Sequence, residues 1–356
     1  MTTDVDRSAS TEHGGPFEEL RERLTGSLHT LDEPEYGALS TPWLLAVPMR
    51  PAAVVAVRTA EDVAATVRYA RSHGHTVGVQ ATGHGANSSL AGHLLIATAG
   101  LDEVTVHAEG WARVGAGVKW LRVIEAAAPY GLAPLNGSSS DVGVVGFTTG
   151  GGVGPLSRTF GIAADLVRAF DVVTGDGVVR RVTPTEHPDL FFALRGGKGS
   201  TAIVTAVEFD LIHLPTFYGG AIYFDADDAA TVIARWRDWS ARLPEEATTS
   251  FALFQLPAMP GVPEPLAGKM TLAIRFAWTG ASESGRALLD QLRGVAPVIL
   301  DDAVVKPYTA IDSVHADPVD PMPVIDPAIL LDDFTEAAAD RLLAAAGPGP
   351  GSPQIL

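Results

Sequence analysis

A glycine-rich run between Gly137 and Gly161 constrains this chain more than any other feature. It reads GSSSDVGVVGFTTGGGVGPLSRTFG and holds eight glycines. Glycine costs backbone entropy on folding, so this density is typical of a backbone that turns with positive φ or lies directly against a ligand. The spacing after Gly150 does not match Gly-x-Gly-x-x-Gly, which excludes a Rossmann fingerprint. The run therefore predicts either a cofactor loop or a glycine-rich loop without a ligand.

A second glycine-rich loop, ATGHGANSS, covers Ala81 to Ser89 and contains His84 between two glycines. The alternating run His75 to Gln80 precedes it and is typical of a strand, while Ala52 to Val57 reads as a buried strand ahead of a capped helix. Together they predict a strand–helix–strand unit that ends at this loop. Ligands favour the carboxyl ends of such strands, although a loop histidine alone is more often a surface or hydrogen-bonding residue.

Composition excludes several classes of function. The formal net charge is −17 and the pI is about 4.9, which argues against a nucleic-acid partner because no excess of Lys and Arg exists to neutralise phosphates. The chain contains no cysteine, so disulfides, thiolate metal sites and cysteine nucleophiles are excluded. No apolar run of about 18 residues occurs, and the first residues are polar, so we expect a cytoplasmic protein without a membrane partner.

The second half of the chain changes pattern near residue 216. Strand-like runs at 219–224, 250–256 and 270–278 alternate with helical patterns, which predicts an antiparallel sheet backed by helices. The helical pair Trp236 and Trp239 is interpreted as core packing. The predicted class is α+β with two domains: a disordered tail at 1–15, a first domain at 16–216 that contains βαβ units in mixed sheets, and a second at 217–356 built on the antiparallel sheet.

Several motifs occur together in one order, namely ATGHGANSS, GSSSDVGVVG, DVVTGDGVVRRV, HPDLFFALRGGKGS and AIVTAVEFDL. In this order they resemble the PCMH-type FAD-binding domain of the vanillyl-alcohol oxidase superfamily, and within it the berberine-bridge-enzyme-like oxidoreductases. The resemblance covers residues 43–216 closely. It implies a flavoprotein with FAD as cofactor, whose second domain stands over the flavin and binds a small-molecule substrate.

The resemblance also implies the site residues. The loop histidine of the family, His84 here, commonly bonds to the 8α-methyl of the flavin, whereas the position of a second, cysteinyl link is Ser139. A serine hydroxyl lacks the nucleophilicity of a thiolate, so at most a single covalent bond to FAD, through His84, is expected. The cofactor-binding residues implied are Gln80, Ala81, Thr82, Gly83, His84, Gly85, Ala86, Gly137, Ser138, Ser139, Val142, Gly143, Gly146, Gly150, Gly151, Gly152, Gly154, Ile203 and Val204.

The function implied is an FAD-linked oxidoreductase that transfers a hydride from a small organic substrate of alcohol, sugar or secondary-metabolite type to flavin N5. Because Gly137 and Val142 are small, O2 is expected to reach the flavin, which favours an oxidase over a dehydrogenase. No catalytic base is assigned, and Tyr308 is interpreted as structural. We expect the chain to lack the segment that closes the site in the family, so the alternative is a member that binds flavin without turnover.

Two other interpretations rest on local patterns. RGGKGS resembles a phosphate loop, but Gly199 follows Lys198 where Ser or Thr is required, and a strand rather than a helix is predicted next. A zinc hydrolase would need ligands among the histidines, which lack the His-Glu-x-x-His spacing; the candidates are His73, His75, His84 and His93. We therefore expect no metal site and keep the hydrolase as a remote alternative.

Overall fold

The structure is a computed structural model that describes residues 17–324 and 328–348. The tail predicted at 1–15 lies outside the described residues. Among the helices of the described part, none combines the length and apolar character needed to cross a membrane.

Two main sheets lie in the first part of the chain. The strands before residue 216 are β1 (Ser27–His29), β2 (Ala53–Ala56), β3 (Val77–Gln80), β4 (Leu94–Ala97), β5 (Val104–His107), β6 (Trp111–Gly115), β7 (Leu132–Ala133), β8 (Val167–Thr174), β9 (Val179–Val182), β10 (Ala202–Asp210) and β11 (Ile212–His213). One sheet has the order β1-β2-β4-β3, with β2, β4 and β3 parallel. The other is antiparallel, with the order β5-β6-β10-β8-β9. A short antiparallel pair, β7 with β11, completes this part.

The helices of the same part are α1 (Glu18–Arg21), α2 (Pro34–Ser40), α3 (Ala60–His73), α4 (Trp120–Ala127), α5 (Val144–Thr148), α6 (Ser157–Phe160) and α7 (Pro188–Leu194). Helix α3 begins at a capping box between Thr59 and Asp62 and ends at Gly74, whose φ is 70°. Because β2, α3 and β3 form the predicted strand–helix–strand unit, the chain reaches the His84 loop directly at the end of β3.

The glycine-rich run is less irregular than its sequence predicts, since it contains both α5 and α6. Glycine in α5 is tolerated because Val144 and Thr148 of this helix are buried and hold it in place. At Gly152 the loop does need glycine. The φ there is +81°, and a Cβ would lie 2.7 Å from the Cβ of Ala163.

The second part of the chain forms the expected antiparallel sheet. Its strands are β12 (Thr216–Asp225), β13 (Ala247–Gln255), β14 (Met270–Trp278), β15 (Val298–Asp301) and β16 (Val304–Pro307), in the order β13-β14-β12-β15, with β16 also on β12. Its helices are α8 (Ala229–Ser240), α9 (Ser282–Arg293) and α10 (Glu336–Ala346). One sheet face packs under α8 and α9 in a core that includes Ile222, Phe276 and Trp239. The predicted α+β class is confirmed.

A 3-10 segment, Tyr308–Val314, returns from the second sheet to the first part of the chain. Its Tyr308, Ile311 and Val314 are buried in the same core as Trp120 and Phe170. The domain limits 16–216 and 217–356 stay a prediction. Contacts between the two parts are made by this segment and by α6 with β13, where Arg158 donates to the carbonyl groups of Leu243 and Ala247.

Candidate functional site

A cavity of about 510 Å³ opens between the two glycine-rich loops. We call it the His84 groove. Its walls come from β3 and the loop after it, from the loop and helix around α5, and from the turn before β10. The lining residues are Met49, residues 77–88, Leu90, Thr98, Ala116, Val142, Gly143, Val145, Gly146, Phe147, Thr149, Lys198, Gly199 and residues 202–204.

Most of the residues predicted to bind the cofactor line this groove. They are Gln80, Ala81, Thr82, Gly83, His84, Gly85, Ala86, Val142, Gly143, Gly146, Ile203 and Val204. The structure therefore brings together segments separated by more than a hundred residues of sequence. The cofactor role of each remains a prediction.

The remaining predicted residues lie outside the groove lining. They are Gly137, Ser138, Ser139, Gly150, Gly151, Gly152 and Gly154. Close packing accounts for several of these glycines, because a Cβ on Gly137 would lie 2.8 Å from the Phe147 ring. A Cβ on Gly154 would collide with the carbonyl oxygen of Asn136. Glycine density at these points has a structural cause that the sequence pattern could not separate from ligand contact.

His84 lies in the groove with one ring nitrogen satisfied and the other free. Its Nδ1 is 2.9 Å from Thr82 Oγ1, and its ring stacks on Trp43 with centroids 4.5 Å apart. Its Nε2 is buried and has no hydrogen-bond partner among the described residues. Burial lowers the pKa of His84; the nearby Asp141 raises it and Lys119 lowers it. The lowered pKa favours the neutral imidazole. In the tautomer that donates Nδ1–H to Thr82 Oγ1, the Nε2 lone pair is available.

Gly83 sets the path of the loop that carries His84. Its φ is +79°, and a Cβ there would lie 2.5 Å from the Cα of Pro42. The neighbouring Trp43 N–H donates to the Thr82 carbonyl over 3.0 Å. A side chain at position 83 would thus strain the turn and push it away from the segment that supplies the stacking tryptophan.

Lys198 is a groove residue that sequence reasoning left out of the site. Its φ is +54°, and its backbone N–H donates to the Thr149 carbonyl over 2.9 Å. This places the side chain across the groove, with Nζ 3.4 Å from the Gly146 carbonyl oxygen. The signal was a lysine in a glycine-rich turn, which was discounted because the phosphate-loop consensus failed.

The groove suits a dinucleotide with a pyrophosphate. The backbone N–H groups of His84 and Gly85 donate to no group within the described part of the chain. Free amides in a glycine-rich turn, with an ammonium group opposite, are the donors that phosphates require. The orphaned Nε2 of His84 adds a buried polar atom that a ligand would satisfy. These residues fit FAD.

A second cavity, of about 350 Å³, lies between the glycine-rich run and the second sheet. We call it the Arg275 cavity. Sequence reasoning did not find it, because its walls come from strands and loops far apart in the chain and carry no motif. The lining residues are Ser138, Val153, Gly154, Pro155, Thr248, Thr249, Ser250, Arg275, Ala277, Val314, His315 and Asp317.

The segment Tyr308–Val314 connects the glycine-rich run to this cavity. The Tyr308 hydroxyl donates to Asn136 Oδ1 over 2.6 Å, and Asp312 Oδ1 accepts from the Ser140 N–H over 3.0 Å. Burial raises the pKa of Tyr308 far above its usual range. A fully buried phenol that serves as a hydrogen-bond donor supports the structural interpretation of this residue.

The histidines proposed for a zinc hydrolase do not form a cluster. His73 contacts Tyr69, His84 stacks on Trp43 and His93 bonds to Thr76. Over residues 17–324 and 328–348, no three His, Asp or Glu side chains are grouped so that they could hold a metal ion.

Comparison with known proteins shows a similarity to FAD-binding proteins. Residues 51–183 match the model of the FAD binding domain family. An FAD-dependent monooxygenase of Fusarium proliferatum is 38% identical over 176 residues, which are 48% of this chain and 34% of that protein. The (R)-6-hydroxynicotine oxidase of Paenarthrobacter nicotinovorans is 26% identical over 300 residues, 83% of this chain and 64% of that protein.

The fold agrees with these matches. The crystal structure of 6-hydroxy-D-nicotine oxidase from Arthrobacter nicotinovorans superposes with a TM-score of 0.74 at 24% identity, covering 82% of this chain and 64% of that one. The chain spans about a third to two thirds of the length of the relatives described here.

Proposed function

We propose that this chain, which belongs to the vanillyl-alcohol oxidase superfamily of FAD-linked oxidoreductases, holds FAD in the His84 groove and oxidises a small organic substrate. The observation that carries the proposal is the buried Nε2 of His84, which lacks a partner among the described residues inside a glycine-lined groove. When bound, FAD supplies a hydride acceptor at N5 and passes the electrons to O2.

The chain's own residues supply binding and orientation. The free amides of His84 and Gly85 and the ammonium group of Lys198 would hold the pyrophosphate, and the groove wall around Gly143 and Gly146 leaves room for the extended cofactor. The stacking of His84 on Trp43 fixes the ring plane before any ligand arrives. A cytoplasmic location, predicted from the sequence, stays a prediction.

We further propose that His84 is a covalent anchor for the flavin 8α-methyl. Burial favours the neutral imidazole by lowering its pKa, and the reaction would use the tautomer whose Nδ1–H donates to Thr82 Oγ1, which leaves Nε2 unprotonated. Ser139 occupies the position where a second link would form, so His84 would be the single anchor. A structural neighbour, the glucooligosaccharide oxidase of Acremonium strictum, carries a 6-S-cysteinyl, 8α-N1-histidyl FAD, so in that protein a histidine is joined to the flavin 8α position.

The first experiment asks whether FAD binds. The full chain is purified and, if colourless, incubated with FAD and passed through a desalting column. We expect the protein fraction to carry the visible absorbance bands of flavin. A colourless protein after incubation would contradict the assignment, whereas bound flavin without substrate turnover would support the alternative of a non-catalytic member.

The second experiment asks whether the link is covalent. The holoprotein is denatured in acid and run on a gel, and we expect a band that fluoresces yellow-green under ultraviolet light. His84→Ala should abolish the fluorescence, while the control His213→Ala, on the exposed strand β11, should retain it. A dark wild-type band with flavin in the supernatant would contradict the covalent role.

The third experiment concerns the electron acceptor. We expect the holoprotein, reduced anaerobically and mixed with air-saturated buffer in a stopped-flow instrument, to reoxidise rapidly with formation of hydrogen peroxide. Reoxidation no faster than that of free reduced flavin, together with rapid reduction of an added organic acceptor, would indicate a dehydrogenase.

A further inference from the structure

One face of the second sheet forms a wall of the Arg275 cavity. Ser250 pairs with Arg275 across β13 and β14, and Thr248 pairs with Ala277. Side chains alternate along a strand, so these residues share the face opposite to Ile274 and Phe276, which pack under the helices. The strand register therefore places these polar side chains together on the sheet face that lies toward the glycine-rich run.

Arg275 is the only arginine or lysine that lines this cavity, and its single ion-pair partner among the described residues is Asp317. Its side chain is only 13% exposed, and its nearest acidic group among the described residues, Asp317 Oδ1, is 3.5 Å from Nη2. Nη2 also donates to the His315 carbonyl over 3.1 Å. No other hydrogen bond from the guanidinium to the described residues is formed, although the group carries five N–H donors. A buried cation in this state favours an anionic ligand.

Three further polar atoms of the cavity are buried without a partner in the described part of the chain. They are Thr248 Oγ1, Ser250 Oγ and His315 Nδ1. A buried polar atom that forms no hydrogen bond costs stability. Three such atoms lie in one cavity beside a guanidinium group with unused N–H donors, and a bound ligand would explain all of them. A ligand with two acceptor oxygens would accept from the guanidinium fork and from the hydroxyl groups at the same time.

The rest of the lining is apolar and small, with Val153, Pro155, Ala277 and Val314 around the polar patch. These residues suit the body of a small ligand whose polar end meets Arg275. A carboxylate matches the planar fork of arginine in a bidentate way, which a neutral hydroxyl group cannot do. The polar patch at Arg275 and the apolar lining together favour a ligand with a carboxylate group and an apolar body.

We propose that the Arg275 cavity binds a small organic carboxylate with an apolar body, and that this anion is the substrate of the oxidation. Only the second clause rests on the proposed function. Arg275 binds and orients the carboxylate, Ser250 and Thr248 donate to its oxygens, and the apolar lining holds the remainder of the molecule. Asp317, the acidic neighbour of the guanidinium, competes with the ligand for Nη2.

The test measures binding of sodium benzoate and of benzyl alcohol, a neutral molecule of similar size, to the full chain by isothermal titration calorimetry. We expect benzoate to bind at least about tenfold more tightly, because hydrogen bonds to a charged group are the stronger ones. Arg275→Gln should weaken benzoate binding about 10- to 100-fold and leave benzyl alcohol binding unchanged. The control Arg237→Gln, on helix α8 behind the sheet, should bind benzoate as the wild type does.

Asp317→Asn gives an effect of opposite sign, which a folding defect would not produce. Removing this competing carboxylate should strengthen benzoate binding and leave benzyl alcohol binding unchanged. Equal binding of the two probes by the wild type, no saturable binding of either, or an unchanged benzoate affinity in Arg275→Gln would overturn the proposal. If Arg275→Gln does not fold, the wild-type preference and the Asp317→Asn result decide.

The measurement is made on the chain both without FAD and after incubation with it. Benzoate binding through Arg275 in protein that binds no FAD would uphold the carboxylate site and contradict the proposed oxidoreductase function. FAD binding without any benzoate preference would contradict the carboxylate site alone.

Discussion

The His84 groove and the Arg275 cavity differ in the chemical groups that line them. The groove is lined by small and apolar residues, ten of the 27 being glycine or alanine, with His84 and Lys198 as its ionisable groups. The cavity is lined by the side chains of Arg275, His315, Ser250 and Thr248. Main-chain recognition suits a ligand that is the same in every relative, whereas side-chain recognition can be changed by substitution. If both proposals hold, the chain separates cofactor binding from substrate choice.

The largest expected effect concerns the cost of burying His315 in the cavity. Burial, with Arg275 adding to it and Asp317 opposing it, lowers the pKa of His315 to about 4 from 6.5. Because the folded pKa lies below the unfolded one, the unfolded chain takes up the proton first, so stability is lost as the pH falls from about 6.5 to about 4.

His315→Gln removes this loss. Relative to the wild type, the free energy of unfolding of the variant should rise by up to about 3 kcal/mol over that interval, since one pKa unit corresponds to about 1.4 kcal/mol. Urea unfolding at several pH values measures it, with His213→Gln as control. A difference that does not change with pH would mean that the cavity does not keep this imidazole neutral.

The next effect concerns the contact that holds the segment Tyr308–Val314 against the residues just before the glycine-rich run. Tyr308→Phe removes the hydroxyl that donates to Asn136 Oδ1 and leaves that buried oxygen unpaired. We expect a loss of about 1–3 kcal/mol in the free energy of unfolding. Tyr130→Phe, at a half-exposed ring, is the matched control. An equal effect of the two substitutions in urea unfolding would show that the contact contributes nothing specific.

The smallest expected effect tests whether backbone amides, rather than the Lys198 side chain, contribute most of the FAD binding in the groove. Lys198→Gln should weaken FAD binding by only about 3- to 10-fold, a partly screened charge contribution of about 1 kcal/mol. The loss should diminish at high salt. Equilibrium titration of FAD at two salt concentrations measures it, with the exposed Lys269→Gln as control. A complete loss of FAD binding would show that the lysine, and not the amides, carries recognition.

The groove could be predicted from the sequence because the residues that shape it form short motifs of neighbouring residues. Gly83 must adopt positive φ beside Pro42, and the strand–helix–strand unit that delivers His84 follows from hydrophobic periodicity and a capping box. The antiparallel second sheet was found in the same way. The short helices α5 and α6 were missed because a glycine-rich composition gives little helical signal.

The Arg275 cavity was not predictable by these means. Arg275, Thr248 and His315 lie in different segments, and only the register of β13 on β14 and the return of the chain at 308–317 bring them together. The glycines at positions 137 and 154 have a packing role that the sequence pattern did not indicate, because a Cβ there would meet the Phe147 ring or the Asn136 carbonyl group. Their contact with the cofactor stays a prediction.

The central claim, that FAD occupies the His84 groove, is tested most directly by filling the groove. Gly146 lines it and Gly37 lies on the exposed surface of α2, and a Cβ on either would meet no atom within 4 Å. Both are exposed glycines in short helices, so Gly146→Trp and Gly37→Trp form a matched pair with little expected effect on folding. In an FAD titration of the full chain, the wild type and Gly37→Trp should bind one FAD per chain, and Gly146→Trp should bind none. FAD binding by Gly146→Trp with wild-type affinity would contradict the account.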